Sequence, residues 1–515
     1  MALLGALLKE SVKWKQKQNK GIIEPTEQLQ IEVLNELLTK ASSTEIGMQY
    51  DFSSMVQSED VQTNFQNSVP LFSYESYYDK WLIRALEDKP NIIWPGKINY
   101  FAKSSGTTKS GSKRIPVSTE SIRYFHKATF QQLSTIHQFN FPARFYQSDV
   151  LTIGGCTRLT TVGEHLEGDL SGILKRTKPF IFRPFAKPGK RLSKVSDWEV
   201  KMDAIVEKAP YWNIGVVAGN PSWVCLLLEK IVQHYDLKWI QDIWPNFSMY
   251  LHGGVFLGNY EKRIQAISKF PIMFVDTYLA SEGYFAYQTN PLEKGMDLLL
   301  NHGVYYEFIE SNYFEKLNQL KGDYSGIPTL SLNEVEEGKP YALVVSTCSG
   351  LWRYVIGDVV RFSNLNKYTI QIVGRIAHTM NSVGEHLSLE NMMEAINEVA
   401  DIMGVEVSEF CVTISSKNDR HFWYIGSKQV VNEQLFAVHL NSALEKRNDD
   451  YCAIRKVILK APKVKALPEE KFYEFMERKG KLGAQHKFPR VLNAAWKNEW
   501  ENFLANPILT GNLFS

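Results

Sequence analysis

A stretch rich in serine, threonine and glycine, residues 103–117 (KSSGTTKSGSKRIPV), has the composition of a phosphate-binding loop. Gly106 and Gly111 stand five apart as in a P-loop, but the lysine comes one position late, at Lys113. Pro116 lies between β-branched residues that predict a strand, so the context is a hairpin rather than the strand-to-helix turn of a P-loop. Glycines still let backbone N–H groups converge on phosphate, and hydroxyls add donors: Ser104, Ser105, Thr107 and Thr108. An ordinary polar hairpin is the alternative.

A second stretch, residues 274–287 (FVDTYLASEGYFAY), joins an apolar strand to a polar turn. Open α/β sheets bind ligands where such strands end. Tyr278 could stack on a purine, Ser281 could bond a phosphate, and Glu282 could bind a hard cation such as Mg²⁺. The same residues also suit an ordinary strand end followed by a helix, so this stretch alone leaves both interpretations open.

A third stretch, residues 351–362 (LWRYVIGDVVRF), places Asp358 after Gly357 at an apparent turn between two β-rich runs. A carboxylate there can accept hydrogen bonds from both hydroxyls of a ribose. Gly-Asp is equally common in a hairpin turn that binds nothing. Two weaker candidates are Arg375 in IVGRI and the pair Gly253 and Gly254 in LHGGVF.

Helical and strand patterns alternate along the first three quarters of the chain. Residues 119–137 carry apolar side chains at helical spacing, and Ser118 or Thr119 can cap the start. Short apolar runs bounded by Gly, Asn or Ser predict buried strands: VLTIGG, NIGVVAG, IMFVDTYLA and YALVVST. The predicted fold class is therefore α/β, with a large N-terminal domain of α/β layers.

The pattern changes near Gly374. A helix (389–402) precedes the strands EFCVTI and HFWYIGS, the helix NEQLFAVHLNSALEKR, the strand RKVILKA and the helix PEEKFYEFMER. This is a compact α+β unit of the size of one small domain. We therefore predict an N-terminal domain at 1–378 and a small C-terminal α+β domain at 379–515.

The bulk composition excludes several classes of protein. The 515 residues are 44% hydrophobic, which predicts sizeable cores, and the net charge of +2 argues against a nucleic-acid partner. Five scattered cysteines without a C-x-x-C pair predict reduced thiols in a cytoplasmic protein. The N-terminal run MALLGALLKE is too short to span a bilayer, so we expect an amphipathic helix and no integral membrane segment.

Each motif alone suits either nucleotide binding or an ordinary turn. The order in which the motifs occur along the chain favours nucleotide binding. A Ser/Thr/Gly loop, a Gly-Gly loop, a Tyr-x-x-Ser-Glu turn, a Gly-Asp turn and a Gly-Arg before a small C-terminal domain resemble the adenylate-forming enzymes. More closely, the chain resembles the auxin-responsive-promoter family of acyl acid amido synthetases. This resemblance runs from VPLFSYESYYDKWLI through WPGKINYFAKSSGTTKSGSKRIPVS to GAQHKFPRV, and so covers essentially the whole chain.

The resemblance implies an activity. Family members activate a carboxylic acid with ATP and Mg²⁺, which forms an acyl-adenylate and pyrophosphate, and the amine of an amino acid then displaces AMP to give an amide. It also implies a β-barrel-like part in the N-terminal domain and a mobile C-terminal domain that rotates between the half-reactions. The acid, the amino acid and the oligomeric state stay open. Another acceptor, such as coenzyme A, and a non-catalytic nucleotide- or acid-binding protein are the alternatives.

The resemblance also implies roles for individual residues. The catalytic candidates are Ser281 on the α-phosphate, Glu282 with Mg²⁺, and Lys487 in GAQHKFPR as a lysine brought in by the C-terminal domain. The nucleotide would be bound by Ser104, Ser105, Gly106, Thr107 and Thr108 at its phosphates, Gly253, Gly254 and Tyr278 at adenine, and Asp358 with Arg375 at the ribose. His386 stands near the presumed hinge, where some relatives carry lysine, so no lysine role transfers to it.

Overall fold

The computed structural model describes residues 26–108, 111–139, 141–177, 185–253, 257–290, 292–320, 322, 324–376, 380, 385, 387–415, 419–479 and 488–505. The chain divides into two compact units, Met1–Ile372 and Val373–Ser515. The predicted division after residue 378 stays a prediction, because residues 377–379 lie outside the described part, as do the predicted N-terminal helix, Gly254, His386 and Lys487.

The first unit combines helices with two sheets. Its described helices are α1 Glu27–Ala41, α2 Glu45–Gln49, α3 Phe52–Val56, α4 Val61–Ser68, α5 Tyr74–Tyr77, α6 Ile83–Leu86, α7 Thr119–Thr135, α8 Leu170–Thr177, α9 Gly189–Leu192, α10 Trp198–Lys208, α11 Pro221–His234, α12 Gly258–Ala266 and α13 Phe314–Gln319. Its described strands, the last of which crosses the division, are β1 Tyr100–Thr108, β2 Gly111–Val117, β3 Asp149–Thr152, β4 Thr160–Val162, β5 His165–Gly168, β6 Ala186–Lys187, β7 Ile214–Ala218, β8 Met249–His252, β9 Met273–Leu279, β10 Tyr284–Tyr287, β11 Met296–Leu298, β12 Val304–Glu310, β13 Pro340–Thr347, β14 Tyr354–Asn364 and β15 Thr369–Arg375.

The larger sheet has the strand order β12-β13-β14-β15-β11-β10-β9-β8-β7-β3-β6. From β6 to β9 the neighbours are parallel, and from β9 through β10 and β11 to β15 they are antiparallel. Because parallel strands point the same way, the carboxyl ends of β6, β3, β7, β8 and β9 lie at one edge, where open α/β sheets bind ligands. The smaller sheet has the order β2-β1-β5-β4.

The four apolar runs predicted to be strands are confirmed as β3, β7, β9 and β13. Burial explains their composition: residues 214–217 and 341–347 are buried, so both faces of these strands need apolar side chains. Ser118 caps α7 as predicted, since its hydroxyl accepts a hydrogen bond from the Ser121 N–H at 2.9 Å.

The antiparallel end of the large sheet curls strongly. Strands β9 and β14 are four positions apart, which would separate them by about 19 Å in a flat sheet at about 4.8 Å per strand. Side chains of Tyr278 on β9 and Asp358 on β14 nevertheless meet at 2.7 Å. The β-barrel-like part implied by the sequence corresponds to this curled end, which is open among the described strands rather than a closed barrel.

One hydrophobic core joins the two hairpins that carry the motifs. Phe101 and Ile115 at the base of β1 and β2 belong to the same buried cluster as Tyr278 and Phe285 of β9 and β10. In the described part of the chain no helix is long and apolar enough to cross a membrane.

The second unit is an α+β unit, as predicted. Its described helices are α14 Leu389–Met403, α15 Glu433–Arg447, α16 Asp449–Val457, α17 Glu470–Arg478 and α18 Ala494–Ala505, and its strands are β16 Glu409–Ile414, β17 Arg420–Gly426 and β18 Lys460–Leu467. The prediction of a strand at RKVILKA was wrong. Asn448 caps α16, which runs to Val457, and the strand begins only at Lys460. Pro462 is tolerated in β18 because this strand lies at the edge of its sheet.

Candidate functional site

A tight hairpin presents Ser281 and Glu282. Strand β9 pairs antiparallel with β10, and the Ala280 N–H donates to the Gly283 carbonyl at 2.9 Å. Ser281 and Glu282 are therefore the two central residues of the turn, and both are partly exposed. The polar turn predicted here is present, but a second strand follows it rather than a helix.

Tyr278 precedes this turn and contacts Asp358. The Tyr278 hydroxyl donates to Asp358 Oδ2 at 2.7 Å, and the two residues are only 3% and 7% exposed. The ring of Tyr278 also packs edge-on against Phe285, with 4.9 Å between centroids. Through this buried hydrogen bond Tyr278 positions Asp358. The sequence predicted only that Tyr278 stacks on adenine.

Asp358 lies in a β-bulge. The sequence predicted a turn at this position, which was wrong, because β14 continues from Tyr354 to Asn364. Ala342 pairs with Val359 and Val344 with Val355, so three residues of β14, 356–358, face one residue of β13. Gly357 has φ +88°, a conformation that favours glycine. A bulge turns a side chain out of the regular alternation, and here it directs Asp358 towards Tyr278.

Gln132 of α7 attaches this helix to the same hairpin. Its amide Nε2 donates to Thr277 Oγ1 at 2.9 Å, and its Oε1 accepts from the Tyr284 hydroxyl at 2.6 Å. The sequence interpretation missed Gln132, although a polar residue that shares a helical face with Phe125 was a detectable signal. One buried amide side chain thus fixes α7 to both β9 and β10.

The β1–β2 hairpin holds the first motif. Ser104 pairs with Lys113 and Thr108 with Gly111, so the predicted hairpin is present in the backbone. Residues 104–108, however, continue β1 past a register irregularity instead of forming the loop that the sequence predicted. The side chains of residues 105–108 lie outside the described part, and Ser104 is partly buried.

A buried carboxylate holds the base of this hairpin. Glu167 on β5 lies 3.1 Å from Lys103 Nζ and 2.8 Å from Arg114 Nε. Burial raises the pKa of the Glu167 carboxyl, but the two cations outweigh it and leave the pKa below its ordinary value. The Arg114 N–H also donates to the Tyr74 hydroxyl at 2.8 Å. The base of the hairpin is therefore fixed by charge–charge contacts and one hydrogen bond.

Gly253 follows β8 at the carboxyl edge of the parallel strands. A Cβ at this position would lie 2.1 Å from the Thr277 carbonyl oxygen, so only glycine fits beside β9. His252 Nδ1 lies 3.1 Å from Asp276 Oδ1, and burial lowers the pKa of His252 while Asp276 raises it. Gly253 is thus placed one strand away from Tyr278.

Asp169 is a second polar residue that the sequence interpretation missed. Its Oδ2 would lie 1.8 Å from a Cβ at Gly155, so the carboxylate sits directly on the glycine turn that follows β3. Burial raises the pKa of Asp169, and the cations Lys201, Lys103 and Lys175 lower it. Since Lys103 belongs to the base of the β1–β2 hairpin, Asp169 lies between this hairpin and the carboxyl end of β3. The signal was the acidic run GEHLEGDLSG.

The metal assignment rests on one described carboxylate. Among the residues that the structure describes, no group of three or more His, Cys, Asp or Glu side chains could hold a metal ion. Mg²⁺ in nucleotide sites is commonly bound by one or two carboxylates together with substrate phosphates, so Glu282 with a polyphosphate fits that chemistry. Arg375 ends β15 beyond the division at Ile372 and stays a prediction.

Family models match three successive regions of the chain. The GH3 family N-terminal domain matches residues 16–204, the GH3 family central domain residues 297–375, and the GH3 family C-terminal domain residues 390–495. A probable indole-3-acetic acid-amido synthetase GH3.6 of Oryza sativa subsp. japonica is 31% identical over 213 residues, which cover 39% of this chain and 42% of the relative. The indole-3-acetic acid-amido synthetase GH3.2 of Arabidopsis thaliana is 22% identical over 66% of this chain and 71% of the relative.

Solved structures share the fold. A GH3.15 acyl acid amido synthetase superimposes with a TM-score of 0.76 at 16% identity over 93% of both chains. A 2-hydroxyisobutyryl-CoA ligase in the postadenylation state gives a TM-score of 0.58 at 12% identity over 93% of this chain and 92% of the ligase. Because three domain models of one family match in order between residues 16 and 495, the chain belongs to the GH3 family, as the motif resemblance predicted.

Proposed function

We propose that the protein is an ATP-dependent acyl acid–amido synthetase. In the first half-reaction a carboxylate oxygen of the acid attacks the α-phosphorus of ATP, and pyrophosphate leaves. In the second, the neutral amine of an amino acid attacks the acyl carbon, loses a proton and displaces AMP. The relatives named as an indole-3-acetic acid-amido synthetase and a jasmonoyl–L-amino acid synthetase support a small carboxylic acid and an amino acid as the two substrates.

The observation that carries this proposal is the buried hydrogen bond between Tyr278 and Asp358. It brings the second and third motifs together across four strand positions and holds a carboxylate against Tyr278, three residues before Ser281. A carboxylate held in this way can accept both ribose hydroxyls while the turn reaches the phosphates. Ribose and phosphate contacts on neighbouring elements are what a bound nucleotide requires.

The remaining roles follow from the charges of the reaction. A carboxylate is repelled by a polyphosphate, so the site has to neutralise charge as the α-phosphoryl group is transferred. We assign the β and γ phosphates to the β1–β2 hairpin, the α-phosphate to Ser281, and a Mg²⁺ ion to Glu282. Glu282 would hold the Mg²⁺, which would supply positive charge to neutralise the phosphates during the transfer.

The wider setting is part of the proposal. The first unit would carry the adenylation chemistry, and the second would be the mobile unit that supplies Lys487 for the first half-reaction. No disulfide joins the five cysteines, all of which lie in the described part of the chain, and this supports a reducing compartment such as the cytoplasm.

Replacing Asp358 tests the ribose assignment. Asp358→Asn keeps an acceptor for the Tyr278 hydroxyl but removes the charge, so the fold should persist while exchange of labelled pyrophosphate into ATP falls about 100-fold. The assay uses ATP, Mg²⁺ and a panel of small carboxylic acids. Asp203→Asn is the matched control, because this exposed carboxylate contacts only Lys230 on the surface. An unchanged exchange rate in Asp358→Asn would remove Asp358 from the site.

Product analysis tests the acceptor. Mass spectrometry after incubation with ATP, Mg²⁺, the acid panel, mixed amino acids and coenzyme A should find amides and AMP. Thioesters without amides would replace the amino acid by coenzyme A as acceptor. Absence of pyrophosphate exchange with every acid at high enzyme concentration would contradict acid activation itself.

A further inference from the structure

A basic cavity lies at the carboxyl edge of the large sheet, at the end formed by β6. Its volume is about 660 Å³, and its lining residues are Arg158, Lys190, Arg191, Lys194, Val195, Ser196 and Asp197. Arg158 follows β3, and Lys190 and Arg191 follow β6, so the cavity opens beyond the carboxyl ends of these two parallel strands. This is where open α/β sheets bind ligands.

The cavity shares no lining residue with the proposed ATP site. Its seven lining residues lie between positions 158 and 197, and none of them is among the residues assigned to the nucleotide. An inference about this cavity does not rest on the proposed function.

Four cations face a single carboxylate in this cavity. Asp197 is already engaged, because its Oδ1 accepts the Val200 N–H at 2.9 Å as the cap of α10. Within the described ranges, none of the four basic side chains Arg158, Lys190, Arg191 and Lys194 forms an ion pair. Four cations against one carboxylate leave an excess of positive charge in the cavity, and a focused positive potential attracts anions.

The backbone fixes the two segments that bear these cations. Cys156 Sγ donates to the Lys194 carbonyl at 3.1 Å, and the Thr157 N–H and hydroxyl donate to the Ser193 carbonyl at 2.8 and 3.1 Å. The Ser193 N–H in turn donates to the Gly189 carbonyl at 3.1 Å. The segment after β3 is thus hydrogen-bonded to the segment after β6, and the cations project from a connected frame.

We propose that the basic cavity is a binding site for a phosphate-bearing small molecule. Two guanidinium groups can each bond a phosphate through two parallel N–H donors, and the two ammonium groups add point charges. The volume falls in the range of small-molecule sites, about 300–1,000 Å³, and is much larger than a single ion needs. The ligand is a free polyphosphate or an organic phosphate of about nucleotide size.

Calorimetry on the full chain tests this proposal. Inorganic tripolyphosphate represents a free polyphosphate, adenosine 3′,5′-bisphosphate an organic phosphate, and citrate a polycarboxylate of similar charge. The same probes are titrated into Asp358→Asn, so that binding at the proposed nucleotide site is distinguished from binding in the cavity. The wild type should bind at least one phosphate probe, and the triple variant Arg158→Gln/Lys190→Gln/Arg191→Gln should bind it about 30-fold more weakly. Whichever probe binds more tightly identifies the source of the phosphate.

The matched control is the triple variant Lys208→Gln/Lys238→Gln/Lys269→Gln, which removes the same charge from exposed positions elsewhere in the first unit. Equal affinities in both variants would overturn the proposal, as would citrate binding as tightly as the phosphate probes. Both variants should keep the wild-type melting temperature and pyrophosphate exchange rate. If exchange is absent in every form while the basic-cavity variant alone loses phosphate, the proposed function fails and the cavity site stands.

Discussion

The two hairpins that carry the proposed nucleotide site are attached to the protein by different physical interactions. The β9–β10 hairpin is held by neutral hydrogen bonds of buried side chains, in which Gln132 joins Thr277 to Tyr284. The β1–β2 hairpin is held at its base by Glu167, whose partners Lys103 and Arg114 are about one third exposed. The contact of the β9–β10 hairpin with α7 is neutral, whereas the base of the β1–β2 hairpin is ionic and partly solvated.

Because of this difference, we expect the two hairpins to respond differently to salt and to pH. A buried neutral hydrogen bond is nearly independent of salt and of pH near neutrality, whereas an ion pair weakens with salt and with protonation of its carboxylate. The attachment of the β9–β10 hairpin to α7 should therefore change little across conditions. The β1–β2 hairpin, fixed through charges, should be the part whose stability varies.

The largest expected effect comes from the tip of the neutral hairpin. Glu282→Gln preserves the shape of the turn but removes the proposed Mg²⁺ ligand, so we expect pyrophosphate exchange to fall about 100-fold or more. The concentration of Mg²⁺ needed for half-maximal exchange should rise as well. A Mg²⁺ titration of the exchange rate measures both effects.

Glu336→Gln provides the control for Glu282→Gln, because its exposed carboxylate pairs only with Lys339 on the surface. It should leave the exchange rate and the Mg²⁺ dependence unchanged. If Glu282→Gln behaved like this control, the turn would not bind the metal, and the two hairpins would not share one nucleotide.

The next effect concerns the neutral attachment itself. Gln132→Leu leaves the buried hydroxyl of Tyr284 and the half-buried hydroxyl of Thr277 without this partner, and each such loss costs about 1–3 kcal/mol. We expect the free energy of unfolding to fall by about 2–4 kcal/mol, equally at low and high salt. Denaturant unfolding at two salt concentrations measures it. Gln138→Leu at an exposed position should have little effect, and a salt-dependent loss in Gln132→Leu would contradict the neutral attachment.

The sequence was sufficient to predict the four buried strands of the first unit, but not the contacts between distant strands. Runs such as NIGVVAG predict strands because burial on both faces requires continuous apolar residues. Tyr278 and Asp358 are 80 residues apart, and their contact depends on the curl of the sheet across four strand positions. No local pattern records that curl. The motif order brought both residues into one prediction, and only the structure gives their hydrogen bond.

Local patterns also allowed two structures where the chain adopts one. A turn and a β-bulge both accept the positive φ of Gly357, so the local sequence does not distinguish them. The chain forms the bulge, and the turn predicted at Asp358 was wrong. RKVILKA has the composition of a strand, but the helix that Asn448 caps extends to Val457 and includes the first three residues of this segment. Gln132 was visible as a polar residue on a buried helical face, yet its partners lie about 145 to 152 residues away.

The smallest expected effect comes from the ionic attachment, and it shows the contrast most directly. Because Lys103 and Arg114 keep the pKa of Glu167 below its ordinary value of 4.5, the unfolded chain binds more protons than the folded chain as the pH falls through this range. The stabilisation from Glu167 is therefore complete above pH 4.5 and is lost as the pH falls through the lower folded-state pKa.

Glu167→Gln should lower the free energy of unfolding by about 1–2 kcal/mol at pH 7, and by less at high salt. In acid, the stabilities of the variant and the wild type should converge. Unfolding curves between pH 7 and pH 3.5 measure this convergence, with Gln132→Leu as the variant whose deficit stays constant. A Glu167→Gln deficit that is equally constant would mean that both hairpins are held by the same kind of interaction.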